Sequence, residues 1–440
     1  MKRSPGPAYA SFDEWIGHES IPFSLALPET FNSAADRVMA SLGSSLELLG
    51  LGEAMHGSKD ILCLRNRLFA HLVKRHGFSA IALESSFPRA RLVNDYISGR
   101  GPAWYEEIQD AGFSHGFGRM QANRHLVEWM KVYNADPSHP VKLQFYGFDS
   151  PTEMTGTDSP RQLLHFVLDY LDFMGSSQHS EPQDQSAAHR KGEGERRERI
   201  EALLGRDGDW QSFEAMMDPD RSVGRSPDAC ALRVETEDLM AELLSRRPEA
   251  VKAGGIGRYR EAVQHLALAR QLLSYHAAMA RRSEKRTSEL LGIRDAMMAD
   301  NLAYAVSQER GRGRVLAFAH NSHLQMGRAE WQLGRELNVW WPAGSHLHEI
   351  FGAGYAVIGT AVGVSAAQGI GVPESGSLET YLARAPGSAR FMAFCRGRPP
   401  AQAVAAFITR TGSSKNSTYF PLTAQSITDY DWLAFLDNCG

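Results

Sequence analysis

Glu53 and His56 are the residues of this chain whose types and spacing most directly suggest chemistry. They stand three positions apart in the segment GEAMHG, Gly52 to Gly57. A histidine held by a carboxylate can take a proton from water, which is general-base catalysis. The pair also has a purely structural explanation, in which Glu53 caps a helix and His56 is a solvated loop residue. The predicted strands and helix around the segment distinguish between these two explanations.

The segment lies inside a predicted βαβ unit. An apolar run, Leu46 to Leu51, precedes it and is short enough for a buried strand, and residues 78–84 (FSAIALE) read as a second one. Between them, apolar residues recur every three to four positions, and Gly77 stands where a left-handed helix end is expected. Strand, helix and strand over about 40 residues indicate parallel strands. The turn that holds Glu53 and His56 is therefore predicted at the carboxyl edge of the sheet, where open α/β folds bind ligands.

Other ionisable residues stand at the ends of predicted strands. Glu84 ends the second strand, Asp149 ends a third over residues 141–149, and His320 ends a later one over 314–320, with His323 just beyond. If these strands are parallel, all of these side chains meet at one edge. Singly, Glu84 and Asp149 could cap helices and His323 could lie on the surface. Together they favour a functional site, because unpaired buried charges are costly.

The fold class predicted from these patterns is α/β, with a largely parallel sheet flanked by helices. We expect one domain over residues 1–440, with a helical insertion at 160–311 that caps the cleft. Within the insertion, residues 175–195 are rich in Ser, Gln, Gly and charge, which predicts a flexible loop. Further strands are predicted after the insertion, at residues 355–363, 390–395 and 430–436.

Composition excludes several classes of partner. A formal net charge of −4, with both signs mixed along the chain, gives no electrostatic basis for binding nucleic acid or an anionic membrane. The four cysteines are widely spaced, which is typical of a reducing compartment rather than of a disulfide framework. No signal peptide and no apolar run of about 20 residues is visible. We therefore expect a cytoplasmic protein that acts on a small molecule.

Three chemistries compete for the predicted site. The spacings E-x-x-H and H-x-x-H supply ligands that zinc accepts, but they fall on turns and lack the helical arrangement of metalloproteases. The segment GFSHG, residues 112–116, matches a serine-nucleophile pattern, yet no strand is predicted before it, as that pattern requires. The third chemistry is general acid–base hydrolysis, for which Arg65, on the helix after the turn, would stabilise the oxyanion.

Several separated segments resemble the erythromycin esterase family. Residues 51–84 contain a strand, then G-E-x-x-H, an arginine nine residues after the histidine, and a G-F-x-x-x-A-x-E strand. Other segments that resemble the family follow its order along the chain: FDEWIGHESIPF, RLVNDYISG, EWMKVYN, GIRDAMMADNL and AHNSH. The similarity covers most of the chain except the helical insertion before about Ser288.

The resemblance implies an α/β sheet with a helical cap beside a cleft, and ester hydrolysis without a metal or other cofactor. The family is best known for opening the lactone of macrolide antibiotics, which is a form of antibiotic resistance. By resemblance His56 is the general base and Glu53 its acidic neighbour. The other residues that the resemblance and the strand ends place in the cleft are Arg65, Glu84 and His320 as catalytic residues, and His323, Arg294 and Asp149 as substrate-binding residues.

Two alternative functions follow from the same residues. A biosynthetic relative could use the Glu53–His56 pair for another acyl transfer or an elimination. A binding protein could use His320 or His323 as an axial ligand to haem, because the wider superfamily resembles haem-binding lipoproteins.

Overall fold

The computed structural model describes residues 8–153, 156–176, 183–394, 399, 404 and 407–440. The chain divides into two compact units, one formed by Met1–Phe148 with Met298–Gly440 and the other by Asp149–Met297. The second unit begins and ends earlier than the insertion expected at 160–311. It ends earlier because Met298, Leu302 and Val306 pack into a hydrophobic core of the first unit.

The first unit contains a sheet of eight strands in the order β1-β11-β12-β10-β2-β7-β3-β4. The described strands of the whole chain are β1 (Ser20–Phe23), β2 (Leu48–Glu53), β3 (Phe78–Ser86), β4 (Gln144–Asp149), β5 (Thr152–Glu153), β6 (Gly156–Thr157), β7 (Arg314–His320), β8 (Ala329–Leu333), β9 (Glu336–Trp340), β10 (Tyr355–Val364), β11 (Ala389–Ala393) and β12 (Trp432–Asn438). Strands β12, β10, β2, β7 and β3 are parallel neighbours, whereas β11 pairs antiparallel with both β12 and β1. The α/β class with a mostly parallel sheet is confirmed.

The register of the central strands brings two predicted site residues side by side. Every residue of β2 and β3 is buried, as their continuous apolar sequences require for strands covered on both faces. Strand β2 pairs with β7 from Leu48 opposite Val315 to Glu53 opposite His320. Glu53 and His320 are thus neighbours at the carboxyl edge of the sheet.

Helices account for most of the remaining described residues. They are α1 (Phe12–Glu19), α2 (Pro28–Leu42), α3 (Lys59–His76), α4 (Phe87–Ile97), α5 (Gln121–Ala135), α6 (Arg161–Ser176), α7 (Gln183–Leu204), α8 (Asp207–Trp210), α9 (Phe213–Met217), α10 (Pro227–Ser245), α11 (Arg247–Met279), α12 (Arg286–Glu309), α13 (Asn321–Leu324), α14 (Ala343–Phe351), α15 (Leu378–Arg384) and α16 (Ser426–Asp429). Helix α3 follows the predicted catalytic turn, and Gly77 ends it in the left-handed conformation at φ +68°, as predicted.

The described residues of the stretch 175–195, for which a flexible loop was predicted, belong to two helices. Helix α6 continues to Ser176 and helix α7 begins at Gln183, while residues 177–182 lie outside the described residues. Just after the stretch, charged residues of α7 form ion pairs: Arg196 pairs with Glu242, and Arg197 with Asp169. Low hydrophobicity in this part of the sequence is therefore compatible with a helix.

None of the described helices combines the length and the apolar composition that crossing a membrane requires.

Candidate active site

The turn after β2 is positioned by a close contact with Asn321, the first residue of α13. A Cβ atom at Gly52 would lie 2.2 Å from Oδ1 of Asn321, so only glycine fits there. The Asn321 side chain bridges to Thr360 on β10, donating from Nδ2 to its carbonyl at 2.8 Å and accepting from its N–H at 3.1 Å. The Thr360 hydroxyl in turn accepts the N–H of Ala54 at 2.8 Å. Helix α13 and strand β10 together therefore fix the backbone that carries Glu53 and His56.

Glu53 and His56 form the predicted pair. Nδ1 of His56 lies 2.5 Å from Oε1 of Glu53, whose side chain is almost fully buried. With a carboxylate accepting at Nδ1–H, the lone pair of neutral His56 lies on Nε2. The His56 side chain is 25% exposed, so the ring remains accessible. This is the arrangement of a general base held by a carboxylate.

Glu84 contacts all three histidines of the site. Its Oε2 accepts the backbone N–H of His320 at 2.8 Å, and its Oε1 lies 3.4 Å from Nε2 of His323. The same Oε1 lies 4.0 Å from Nε2 of His56, which is too long for a direct hydrogen bond. The structure therefore brings together Glu53, His56, Glu84, His320 and His323, as the strand ends predicted.

Electrostatics adjusts the pKa of His56 in the direction that suits a base. Burial by itself lowers the pKa, but the negative charges of Glu53 and Glu84 outweigh burial, and the pKa of His56 is raised above its usual 6.5. His323 acts weakly in the opposite direction. A raised pKa makes the neutral ring a stronger base, at the cost of requiring a higher pH to keep it neutral.

His320 is held as a neutral ring. Its Nδ1 accepts the N–H of Ser322 and lies 2.7 Å from the Ser322 hydroxyl, while Nε2 donates to the carbonyl of Thr418 at 2.8 Å. Burial, aided by the nearby His56, lowers the pKa of His320 to about 3. Both ring nitrogens are thus occupied, so His320 supports the site and is not available as a haem ligand without breaking one of these bonds.

Arg65 does not pair with Glu84. Its guanidinium donates to Oδ1 of the adjacent Asn66 at 2.7 and 3.0 Å and lies 4.8 Å from the centre of the Phe318 ring. Among the described residues it forms no ion pair with Glu84, because its neighbour Asn66 holds the side chain back. Arg65 is 1% exposed, and burial lowers its pKa to about 10, against the raising effect of Glu53, so it stays cationic near neutral pH.

A small cavity nevertheless joins Arg65 to both carboxylates. Arg65, Glu53 and Glu84 all line this space of about 10 Å³, which is roughly the volume needed for one water. The second carboxylate oxygen of Glu53 is buried without a hydrogen-bond partner among the described residues. Arg65 therefore lies where it can supply positive charge to Glu53.

Sequence reasoning missed a loop that completes the site, residues 416–420. The hydroxyl of Thr418 accepts the backbone N–H of His56 at 2.9 Å, and Nδ2 of Asn416 donates to the carbonyl of His56 at 3.1 Å. The Phe420 ring packs edge-on against His320 with ring centres 4.7 Å apart. Nothing in the sequence links these residues to His56, because about 360 positions separate them.

Asp149 and Arg294 bind each other in the second unit. The guanidinium donates from Nε at 3.0 Å and from Nη2 at 2.6 Å to the two carboxylate oxygens, and both side chains are buried. Their predicted contact with substrate remains a prediction.

The structure argues against the serine nucleophile but not against a metal site. Ser114 in the segment GFSHG follows no strand, and its hydroxyl accepts the N–H of Ser86 at 2.9 Å, so it has a structural role. The metal alternative stays open, because Glu53, His56 and Glu84 each offer a donor atom and these atoms lie within 4.8 Å of one another.

Comparison with known proteins relates the chain to esterases. It is 22% identical over 316 residues to erythromycin esterase type II of Escherichia coli, covering 71% of this chain and 69% of that protein. It is 25% identical over 151 residues to erythromycin esterase type I of Escherichia coli, covering 34% of this chain and 35% of that protein.

Solved structures show the same fold. A mutant of erythromycin esterase EreC in its open conformation superposes with a TM-score of 0.66 at 20% identity, covering 96% of this chain and 97% of that one. A succinoglycan biosynthesis protein gives a TM-score of 0.68 at 19% identity, covering 97% and 96%. A family model described as erythromycin esterase matches residues 73–439, so the chain belongs to the erythromycin esterase family.

Proposed function

We propose that this protein hydrolyses a carboxylic ester without a metal, using His56 to activate water. The observation that carries the proposal is the buried Glu53 carboxylate 2.5 Å from Nδ1 of His56, which leaves Nε2 as the basic atom. In the described part of the chain Nε2 makes no hydrogen bond, and Oε1 of Glu84 lies 4.0 Å from it. One water can lie about 2.8 Å from both atoms, which is normal hydrogen-bond length.

Hydrolysis then needs only water, the ester and His56 as the carrier of one proton. Nε2 of His56 takes one proton from the water, and the resulting hydroxide adds to the carbonyl carbon of the ester. The tetrahedral intermediate collapses by breaking the bond between that carbon and the alcohol oxygen, and His56 returns the proton to the leaving oxygen. A cyclic ester would open to a single hydroxy acid.

Glu53 and Glu84 have separate parts in this mechanism. Glu53 fixes the tautomer of His56 and stabilises the imidazolium that forms during the reaction. Glu84 holds the end of β7 through the N–H of His320 and orients the water or His323.

Arg65 supplies the positive charge of the site. The resemblance favours Arg65 as the donor to the oxyanion, whereas its 1% exposure favours a different role, as a positive charge that balances the buried carboxylate of Glu53.

A lactone of the macrolide type is the substrate class that the esterase relatives favour, because two of them carry erythromycin in their names. The test is incubation of the purified protein with a panel of macrolides and simpler cyclic esters, followed by mass spectrometry for the gain of one water. We expect His56→Ala to abolish that product, with a loss of about 10²–10⁴-fold in rate. The control is His125→Ala, which removes a histidine on α5 whose ring contacts Gln121 at the surface.

Other outcomes would redirect the proposal. Product formation by His56→Ala at the normal rate, with an unchanged circular dichroism spectrum, would exclude His56 as the base. Consumption of a substrate without the gain of water would favour the biosynthetic alternative, an acyl transfer or an elimination at the same residues.

A metal-dependent hydrolase is the second candidate, and the three donor atoms of Glu53, His56 and Glu84 are the observation that favours it. In that case the metal would supply the activated water. The chelation experiment in the Discussion separates the two candidates.

A further inference from the structure

Away from the active site, two histidines converge on one carboxylate oxygen. Asp36 lies on α2, and His71 and His76 lie on the last turns of α3. Nε2 of His71 and Nε2 of His76 each lie 2.7 Å from the same Oδ1 atom of Asp36. The two imidazole rings are 5.4 Å apart between centres, at an angle of 59°. The mechanism proposed above uses none of these side chains.

We propose that Asp36, His71 and His76 form a Zn²⁺ site that links α2 to α3. Two imidazoles and one carboxylate are a ligand set that zinc accepts, with water completing the tetrahedron. The three donor atoms already lie within 4.8 Å of one another, so no backbone movement is needed to surround one ion.

The hydrogen-bonded arrangement needs only a small adjustment to admit the ion. With zinc bonds of about 2.0–2.1 Å, tetrahedral donors are about 3.4 Å apart, so each contact of 2.7 Å must lengthen by about 0.7 Å. The Asp36 side chain is 45% exposed and can rotate, whereas His71 is 7% exposed and fixed by packing. The mobile ligand is thus the carboxylate, and its exposure leaves the remaining position open to water.

The site is separate from the catalytic residues. His71 lies twelve residues after Lys59, where α3 begins, which is about 18 Å along a helix. Because α3 runs back from the carboxyl edge of the sheet, His76 and Asp36 lie toward the opposite edge from His56. A zinc ion here would stabilise the packing of α2 on α3 without taking part in hydrolysis.

The test uses the full-length protein carrying His56→Ala, which removes a ligand from the active-site cluster that could also bind metal. Equilibrium dialysis against ZnCl₂ should give one bound zinc per chain, and CoCl₂ should give the visible absorption bands of tetrahedral cobalt. Adding His76→Gln should weaken zinc binding by at least 10–100-fold, because loss of a direct ligand exceeds the usual cost of losing an outer hydrogen bond. Asp36→Asn should do the same.

The melting temperature supplies a second measurement. Zinc should raise it in the His56→Ala protein by mass action and should leave the His76→Gln protein unchanged. His139→Gln, which removes a histidine stacked on Tyr133, is the matched control and should keep full binding. Absence of stoichiometric zinc in the His56→Ala protein would show that the cluster is only a hydrogen-bonded clamp. Equal zinc binding with and without His76 would equally overturn the proposal.

Discussion

Glu53 and His56 are joined across a single turn, with Nδ1 and Oε1 2.5 Å apart, and Glu53 is also the register partner of His320 on the neighbouring strand. Glu53 therefore belongs to the sheet, while His56 belongs to the loop above it. The sheet fixes the carboxylate, and the carboxylate fixes the tautomer of the exposed ring. This division lets a rigid element orient a side chain that must still meet substrate.

Glu53→Gln should reduce turnover and move its pH dependence. Activity requires neutral His56, so the rate rises with pH through the pKa of that ring. The negative charge of Glu53 raises the pKa of His56. Without that charge, the acid limb of the pH–rate profile, where the rate rises with pH, should move to lower pH. Loss of the charge that stabilises the imidazolium should lower turnover by about 10²–10⁴-fold. Initial rates from pH 5 to 9 test both effects. Glu47→Gln, which removes a carboxylate paired with Arg310, is the control and should keep the acid limb in place.

Arg65→Met removes a positive charge that lines the same small cavity as Glu53. If that charge balances the Glu53 carboxylate, the acid limb of the pH–rate profile should move to higher pH, because the less compensated negative charge raises the pKa of His56 further. Arg65→Lys keeps the charge and should keep the limb. A loss of about 10²–10³-fold in Arg65→Lys with an unmoved limb would instead assign Arg65 to the oxyanion. Rates are compared per folded molecule, because Arg65 is buried.

Dialysis against a strong chelator should leave the hydrolytic rate unchanged. The same treatment should lower the melting temperature if the ion between α2 and α3 is removed. Rate and melting temperature measured on one sample therefore report on the two metal candidates separately. A rate that disappears on chelation and returns only with zinc would establish the metal-dependent mechanism at Glu53, His56 and Glu84.

Neutral, buried His320 should make the protein sensitive to acid. The native ring stays unprotonated down to a pKa of about 3, whereas the unfolded ring takes up a proton near pH 6.5. Between these values the unfolded state binds more protons, so the free energy of unfolding falls as the pH falls. The contribution of one residue approaches about 1.4 kcal/mol per pH unit.

His320→Gln should flatten that dependence, since glutamine cannot titrate and can still donate to the Thr418 carbonyl. Urea unfolding at pH 7, 6 and 5 measures the slope. His125→Gln at the surface should leave it unchanged. An equal slope in wild type and His320→Gln would mean that other groups dominate the acid sensitivity.

Arg294→Met should destabilise the second unit by roughly 3–5 kcal/mol, because it leaves the buried carboxylate of Asp149 without its bidentate partner. Replacing both residues, as in Asp149→Leu with Arg294→Met, should recover part of this loss. Denaturant unfolding followed by circular dichroism compares the free energies of unfolding of the wild type, the single variant and the double variant. If the single variant retains full stability but loses affinity for substrate, the substrate-binding role predicted from the sequence gains support.

The sequence predicted the central fold because its signals are local. Continuous apolar runs indicated β2, β3, β7 and β10, and Gly77 marked the end of α3. One edge of the sheet, strand β1, was missed. This strand has only four residues, Ser20–Phe23, and contains a proline, which is tolerated on an edge strand but interrupts the alternating pattern. The hairpin of β8 and β9 was missed because several of its side chains are exposed on both strands.

The positions of the candidate site residues were predicted where those residues lie at or next to strand ends. Glu53, His56, Glu84, His320 and His323 do meet, because parallel strands place their last residues together. The hydrogen bonds that Arg65 donates to Asn66 could not be predicted, because they depend on side-chain geometry. Asn416 and Thr418 could not be found, because a loop of Ser, Thr and Asn gives no indication of which distant backbone group it will bind.

The hydrogen bonds that Thr418 and Asn416 form with the backbone of His56 have a consequence for the biosynthesis of the protein. The ribosome adds the residues that hold the backbone of His56 some 360 positions after His56 itself. A nascent chain can pair β2 with β7 only after residue 320 has emerged, and it cannot hold His56 through Asn416 and Thr418 until those residues have emerged as well. Activity should therefore appear abruptly, once this loop has been made, rather than increase in stages during translation.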